Sequence, residues 1–205
     1  MDRRAAYAVL CILFFVGPFL LAQGEPHESP SYEILVPNYQ YDISASSIKD
    51  VNFKNLTVFW YRTDQLRPSA QLSAGSFQER YEGGSENVTL DFVKLLDDPS
   101  TPTPHAVIDL LWKSCGGSCS NNGLVQVFEL RSGHPVVVQQ IRYGRHAPGT
   151  GASLDLESRI LTVTGRSSEP SPNCCPKSLD VMEFAWDGRK FVFKNMKSLA
   201  LPDTP

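Results

Sequence analysis

The chain has 205 residues, 41% hydrophobic and 20% charged, with 19 Lys and Arg against 22 Asp and Glu. That length suits one ordinary domain, and that apolar content can fill a core, which argues against wholesale disorder. A slightly acidic chain also lacks the basic stripe that a broad nucleic-acid surface needs, so no nucleic-acid partner is expected.

Residues 1–24 read as a secretory signal. Asp2, Arg3 and Arg4 form a charged start, and Ala5 to Ala22 is almost entirely apolar. Ala22-Gln23-Gly24 then offers small residues at the two positions a signal peptidase reads. The alternative is a retained membrane anchor, since the apolar run touches the lower limit for spanning. Gly17, Pro18 and the small-residue exit favour cleavage before Glu25. No other segment is apolar enough to span. The expected destination is secreted or periplasmic.

Residues 25–50 read as an extended N-terminal arm. Pro26, Pro30 and Pro37 punctuate its first part, and Ser44 to Asp50 can make one helical turn capped by Asp42 or Ser44. From Val51 to residue 198 the chain is β-like: short runs of Val, Ile, Leu, Phe, Tyr and Thr lie between Gly, Pro, Asn and Ser. The runs are Phe53–Tyr61, Phe77–Tyr81, Val88–Leu95 and Ala106–Trp112. Three hairpins follow. Leu124–Leu130 turns through Ser132-Gly133 into Pro135–Tyr143. Leu154–Asp155 turns through Glu157-Ser158 into Ile160–Thr164. The last turns at Asp187-Gly188, a pair suited to a two-residue type I′ loop. That loop would set Trp186 opposite Arg189, Phe184 opposite Phe191 and Met182 opposite Phe193. Residues 199–205 read as a tail. The fold expected is all-β, a mostly antiparallel meander of about eight to ten strands, as an open sheet or a sandwich.

Of five cysteines, Cys11 would leave with the signal. Cys115, Cys119, Cys174 and Cys175 remain, and an even number in an exported chain favours disulfides. Cys115-Gly-Gly-Ser-Cys119 can close on itself, and the adjacent pair can bond internally with strain. Alternatively, one cysteine of each pair clips the two loops together. A four-thiolate metal site is the sharper reading, but Cys-x3-Cys with Cys-Cys is poor spacing for zinc, so no metal ligand and no cofactor is assigned.

No catalytic residue is assigned either. His105, His134 and His146 fall at loop edges and read as solvated histidines. Ser118 lies between strands, outside any nucleophile elbow. Arg142, Arg145 and His146 form a small basic cluster that could hold a phosphate or carboxylate, unless its arginines pair with local acids. Asn55-Leu-Thr57 and Asn87-Val-Thr89 match a glycosylation tripeptide inside expected strands. Phe59, Trp60, Tyr61, Trp112 and Trp186 read as packing residues before a carbohydrate platform.

Four stretches together resemble a family of small exported bacterial β-rich proteins of unassigned function. They are Ile48 to Thr57, Val127 to Pro135, Cys174-Cys175-Pro176 and Phe184-Ala185-Trp186-Asp187-Gly188-Arg189-Lys190-Phe191. The resemblance covers roughly Ser47 to Lys194. It implies that Cys174 bonds Cys175, leaving Cys115 to bond Cys119. Family members often carry an Asp-x-Asp-x-Asp-Gly loop resembling a calcium site. Here Leu96 to His105 keeps Asp97 and Asp98 but replaces the rest with prolines, serine and threonines, so no binding residue carries over. Three readings of function follow. One is a non-catalytic envelope module binding a protein or polymer partner. Another is a thiol-metal protein using the four cysteines. The last is a periplasmic hydrolase built from His105, His146 and an acid such as Asp97.

Overall fold

A computed structural model of the chain describes residues 32–61, 66–97, 99, 103–145, 149–167 and 177–201. The signal region, His27, His146, Cys174 and Cys175 lie outside these residues. Among them run β1 (Tyr32–Leu35), β2 (Tyr39–Gln40), β3 (Thr57–Tyr61), β4 (Leu66–Gln71), β5 (Ser76–Tyr81), β6 (Gly84–Leu96) and β7 (His105–Gly116). There follow β8 (Ser118–Arg131), β9 (His134–Gly144), β10 (Gly151–Asp155), β11 (Ile160–Arg166), β12 (Ser178–Trp186) and β13 (Phe191–Ala200). All pairings between these strands are antiparallel. The chain is all-β.

The central sheet runs in the order β1-β9-β8-β7-β6-β5, with β2 also on β9. It is buried on both faces, which explains the nearly continuous apolar runs of β7 and β9. One face, through Ile108, Leu110, Trp112, Leu124 and Phe128, packs on Phe53, Leu56, Val58 and Leu72 from the β3–β4 ribbon and the segments on either side of it. The other, through Val107, Val125, Val127 and Ile141, packs on Leu154, Leu161, Val163, Met182 and Phe184 of a four-stranded sheet, β10-β11-β12-β13. The molecule is therefore a sandwich of two sheets, with the ribbon covering the other face of the central sheet.

Several elements differ from the expectation. Only Thr57–Tyr61 of the run Phe53–Tyr61 is strand. Phe53–Asn55 is a 3-10 turn that drops Phe53 into the core. The other 3-10 turn, Ile48–Asp50, is capped by Ser47, whose Oγ accepts from the Lys49 N–H at 3.3 Å, and not by Asp42 or Ser44. β4 was not expected, because Pro68 interrupts it. Pro68 is the extra residue of the bulge opposite Phe59 and Trp60, a place where a missing N–H costs no ladder bond. The extended segment 32–40 is bound along β9, with Tyr32 opposite Tyr143 and Tyr39 opposite Val137. Pro37 and Asn38, the latter at φ 52°, separate its two halves. The supposed tail starts too early, since β13 continues through Leu199 and Ala200.

The Ser132-Gly133 turn forms as expected, both residues having positive φ of 49° and 81°. The Asp187-Gly188 loop does not. Trp186 pairs with Phe191, Phe184 with Phe193 and Met182 with Met196, so residues 187–190 all belong to the turn. The cause is the Asp187 side chain. Its carboxylate accepts the N–H groups of Arg189 and Lys190, each at 2.9 Å, and so fixes a wider loop. Lys194 is the extra residue of a bulge opposite Glu183 and Phe184, which completes the shift in register.

Candidate functional site

Cys115 and Cys119 are directly opposite at the tip of the β7–β8 hairpin and are bonded, with Cα atoms 4.1 Å apart. Gly117, at φ 76°, lets the chain reverse in so short a loop. This bond removes two ligands from the four-thiolate reading. Among the described residues no group of three or more His, Cys, Asp or Glu is arranged to hold a metal ion.

The histidine expectation is corrected at His105. It is only 3% exposed, its ring meets Trp186 edge-on at 4.8 Å, and Nε2 lies 3.5 Å from Glu129. It is buried because β7 begins one residue earlier than the apolar run suggested, under the four-stranded sheet. His134 bonds the Ile43 carbonyl through Nδ1 at 2.9 Å and ties the β8–β9 turn to the N-terminal segment. Asp97 pairs with Lys49 at 3.4 Å, so His105 and Asp97 each have other partners. Asn55 accepts from the Ala74 N–H at 2.9 Å, a structural use of its side chain.

The basic cluster is divided. Arg142 meets Glu33 of β1 at 2.9 Å. Arg145 bonds Asp91 and lies 3.7 Å from Asp109. Asp91 reaches it because a β6 bulge between Leu90 and Phe92 turns Asp91 to the Asp109 face. Asp109 itself stands in the middle of an apolar strand and is 1% exposed. The Tyr143 hydroxyl donates to its carboxylate, 3.0 and 3.1 Å from the two oxygens, and the Ala152 N–H donates as well. Burial nevertheless prevails over these partners and over Arg145, raising the Asp109 pKa to about 7. Gly123 makes the arrangement possible. A Cβ there would lie 2.0 Å from the Tyr143 ring, which folds across the glycine.

A cleft opens on the ribbon side of the molecule. It encloses about 360 Å³ and is lined by Tyr39, Tyr41, Asp42, Asn52, Asn55, Phe59 and Gln71, among others. Tyr39 and Phe59 are half-buried, with ring centroids 4.9 Å apart and planes tilted by 55°. Tyr41 closes the floor against both rings. Asp42, Asn52, Asn55 and Gln71 are exposed around it. The Gln71 amide is held by the Thr57 hydroxyl and by the Asn55 carbonyl at 2.7 Å, so the rim has a fixed shape. An apolar floor ringed by amides is the usual make-up of a small-molecule site. The sequence favours packing over a carbohydrate platform for Phe59; Tyr39 carries no signal there, because the pairing that brings it to the cleft joins residues far apart in sequence.

No family model, curated protein or solved structure matches the chain. No helix among the described residues is long and apolar enough to cross a membrane.

Proposed function

We propose that the protein is an exported, non-catalytic binding module of the cell envelope, and that the Tyr39–Phe59 cleft holds a segment of an envelope glycan. The observation that carries this reading is the cleft's pairing of two partly exposed aromatic rings, Tyr39 and Phe59, with the amides of Gln71 and Asn55, which internal hydrogen bonds hold in place. A sugar ring presents C–H faces that stack on aromatic rings and hydroxyls that bond to amides. The apolar leader at residues 1–24 and the Cys115–Cys119 bond both accord with an oxidising compartment.

The test is calorimetric titration of the chain from Glu25, made in an oxidising compartment, with soluble glycan fragments of the envelope. Binding is expected, and Tyr39→Ala or Phe59→Ala should weaken it about tenfold, the scale of one lost stacking contact. A chain that binds no fragment, or binds them equally well without either ring, would overturn the reading.

A further inference from the structure

On the opposite face of the same sheet end lies a second cleft of about 390 Å³, lined by Glu129, Arg131, Val138, Arg189 and Lys190. Three cationic side chains face one carboxylate there. The carboxylate is already engaged: Glu129 pairs with Arg131 through one oxygen and lies 3.5 Å from His105 Nε2 through the other. Arg131 is anchored in turn by Asn38, to which its guanidinium also donates. Arg189 and Lys190 are exposed and, among the described residues, have no acid partner in an ion pair. The Asp187 carboxylate holds both of their backbone N–H groups, which fixes the turn that carries them, and both residues line the cleft. Both bonds fall on one oxygen, Asp187 Oδ1.

We propose that this cleft is an anion site that takes phosphate or carboxylate groups borne by an envelope polymer. Arg189 and Lys190 supply exposed charge, and Arg131 supplies a planar fork already fixed in orientation. Glu129 competes with the ligand for Arg131. His105, buried behind Glu129, positions that competitor. The site is separate from the aromatic cleft and does not need it.

The probes are tripolyphosphate and trigalacturonate, with maltotriose as the neutral control, titrated into the chain from Glu25 at fixed ionic strength. One or both anions should bind while maltotriose leaves this cleft unperturbed in amide NMR spectra. The anion that binds identifies the source, phosphate or carboxylate. The double variant Arg189→Ala/Lys190→Ala should weaken binding about tenfold or more, and Glu129→Gln should strengthen it about threefold. Tyr39→Ala should leave anion binding unchanged, which separates this site from the glycan reading. Failure of both anions to bind, or binding that survives the double variant, would sink the proposal. Because Arg189 and Lys190 are exposed, the double variant should unfold at the parent temperature, which confirms that a loss of binding is not a loss of fold.

Discussion

Asp109 shows what a single residue can tell and conceal. Its signal was visible in the sequence, as a lone acid inside the run from Ala106 to Trp112. Its meaning was not, because Tyr143, Arg145 and Asp91 arrive from two other strands and one of them through a bulge. The buried carboxyl binds its proton up to about pH 7 in the folded chain, against an ordinary value of 3.8. Between those values the folded state holds more protons than the unfolded one. Stability from this group is therefore full below about pH 4, declines as pH rises, and is gone above about pH 7. The slope is at most about 1.4 kcal/mol per pH unit. Asp109→Asn should flatten the stability curve over that window while keeping an acceptor for Tyr143. Denaturant melts at pH 5 and pH 8 check this: a parent and variant with the same pH dependence would show that Asp109 is ionised throughout.

At the scale of elements, the hairpins with local signals were legible and the long-range pairings were not. Ser132-Gly133 dictates its own turn through two positive φ angles. Asp187-Gly188 carries a similar dipeptide, yet the Asp187 side chain bonds two backbone N–H groups beyond it and widens the loop. Dipeptide reading has no means of weighing that competition. The same limit hid the anion cleft, whose cations come from Arg131 and from a turn far along the chain. β13 raises a different matter. It ends its sheet, and Val192, Met196 and Leu199 on it are 44%, 47% and 46% exposed. An exposed apolar edge invites pairing with another chain, and edge lysines oppose it. Lys194 and Lys197 stand among those residues. Replacing both with valine should convert the protein to concentration-dependent oligomers in light scattering, without loss of far-ultraviolet β signal. A double variant that stays monomeric at millimolar concentration would show that the edge is protected by other means.

The whole molecule is joined by two neighbouring amides. Gln139 and Gln140 sit side by side on β9 and point to opposite faces. Gln140 accepts from the Tyr61 N–H at 3.2 Å and donates to the Tyr61 carbonyl at 2.9 Å, joining the ribbon to the central sheet. Gln139 does the same for Phe191, at 2.8 and 2.7 Å, joining the four-stranded sheet to the other face. Each amide stands in for a peptide group of a missing strand. Gln126 reinforces the first junction by donating to the Phe59 carbonyl at 2.6 Å. Gln140→Leu or Gln139→Leu should each leave a buried N–H and C=O without partners, a loss of about 2–4 kcal/mol. Hydrogen exchange should locate the damage, at Tyr61 in the first variant and at Phe191 in the second. Equal stability to the parent in both variants would mean that water replaces the amides. The class of the fold could be read from alternation and turn residues, since both are local. The layering could not, because two glutamines in a buried strand look the same whether they bridge layers or face solvent.

The pairing of β1 with β9 also sets a timetable. Tyr32 has Tyr143 as its ladder partner, and Tyr39 has Val137. A chain made or threaded from its N-terminus brings out β1 and β2 long before β9 exists. During that interval Tyr32, Ile34, Tyr39 and the backbone around them have nothing native to pair with. The β7–β8–β9 meander, by contrast, closes within a short stretch and is then locked at its tip by Cys115 and Cys119. The last strand of that meander is the template on which the first part of the chain finally settles. A helper protein that shields newly emerged chain would therefore act on the residues before Asp50, and would release them when Gly144 has appeared.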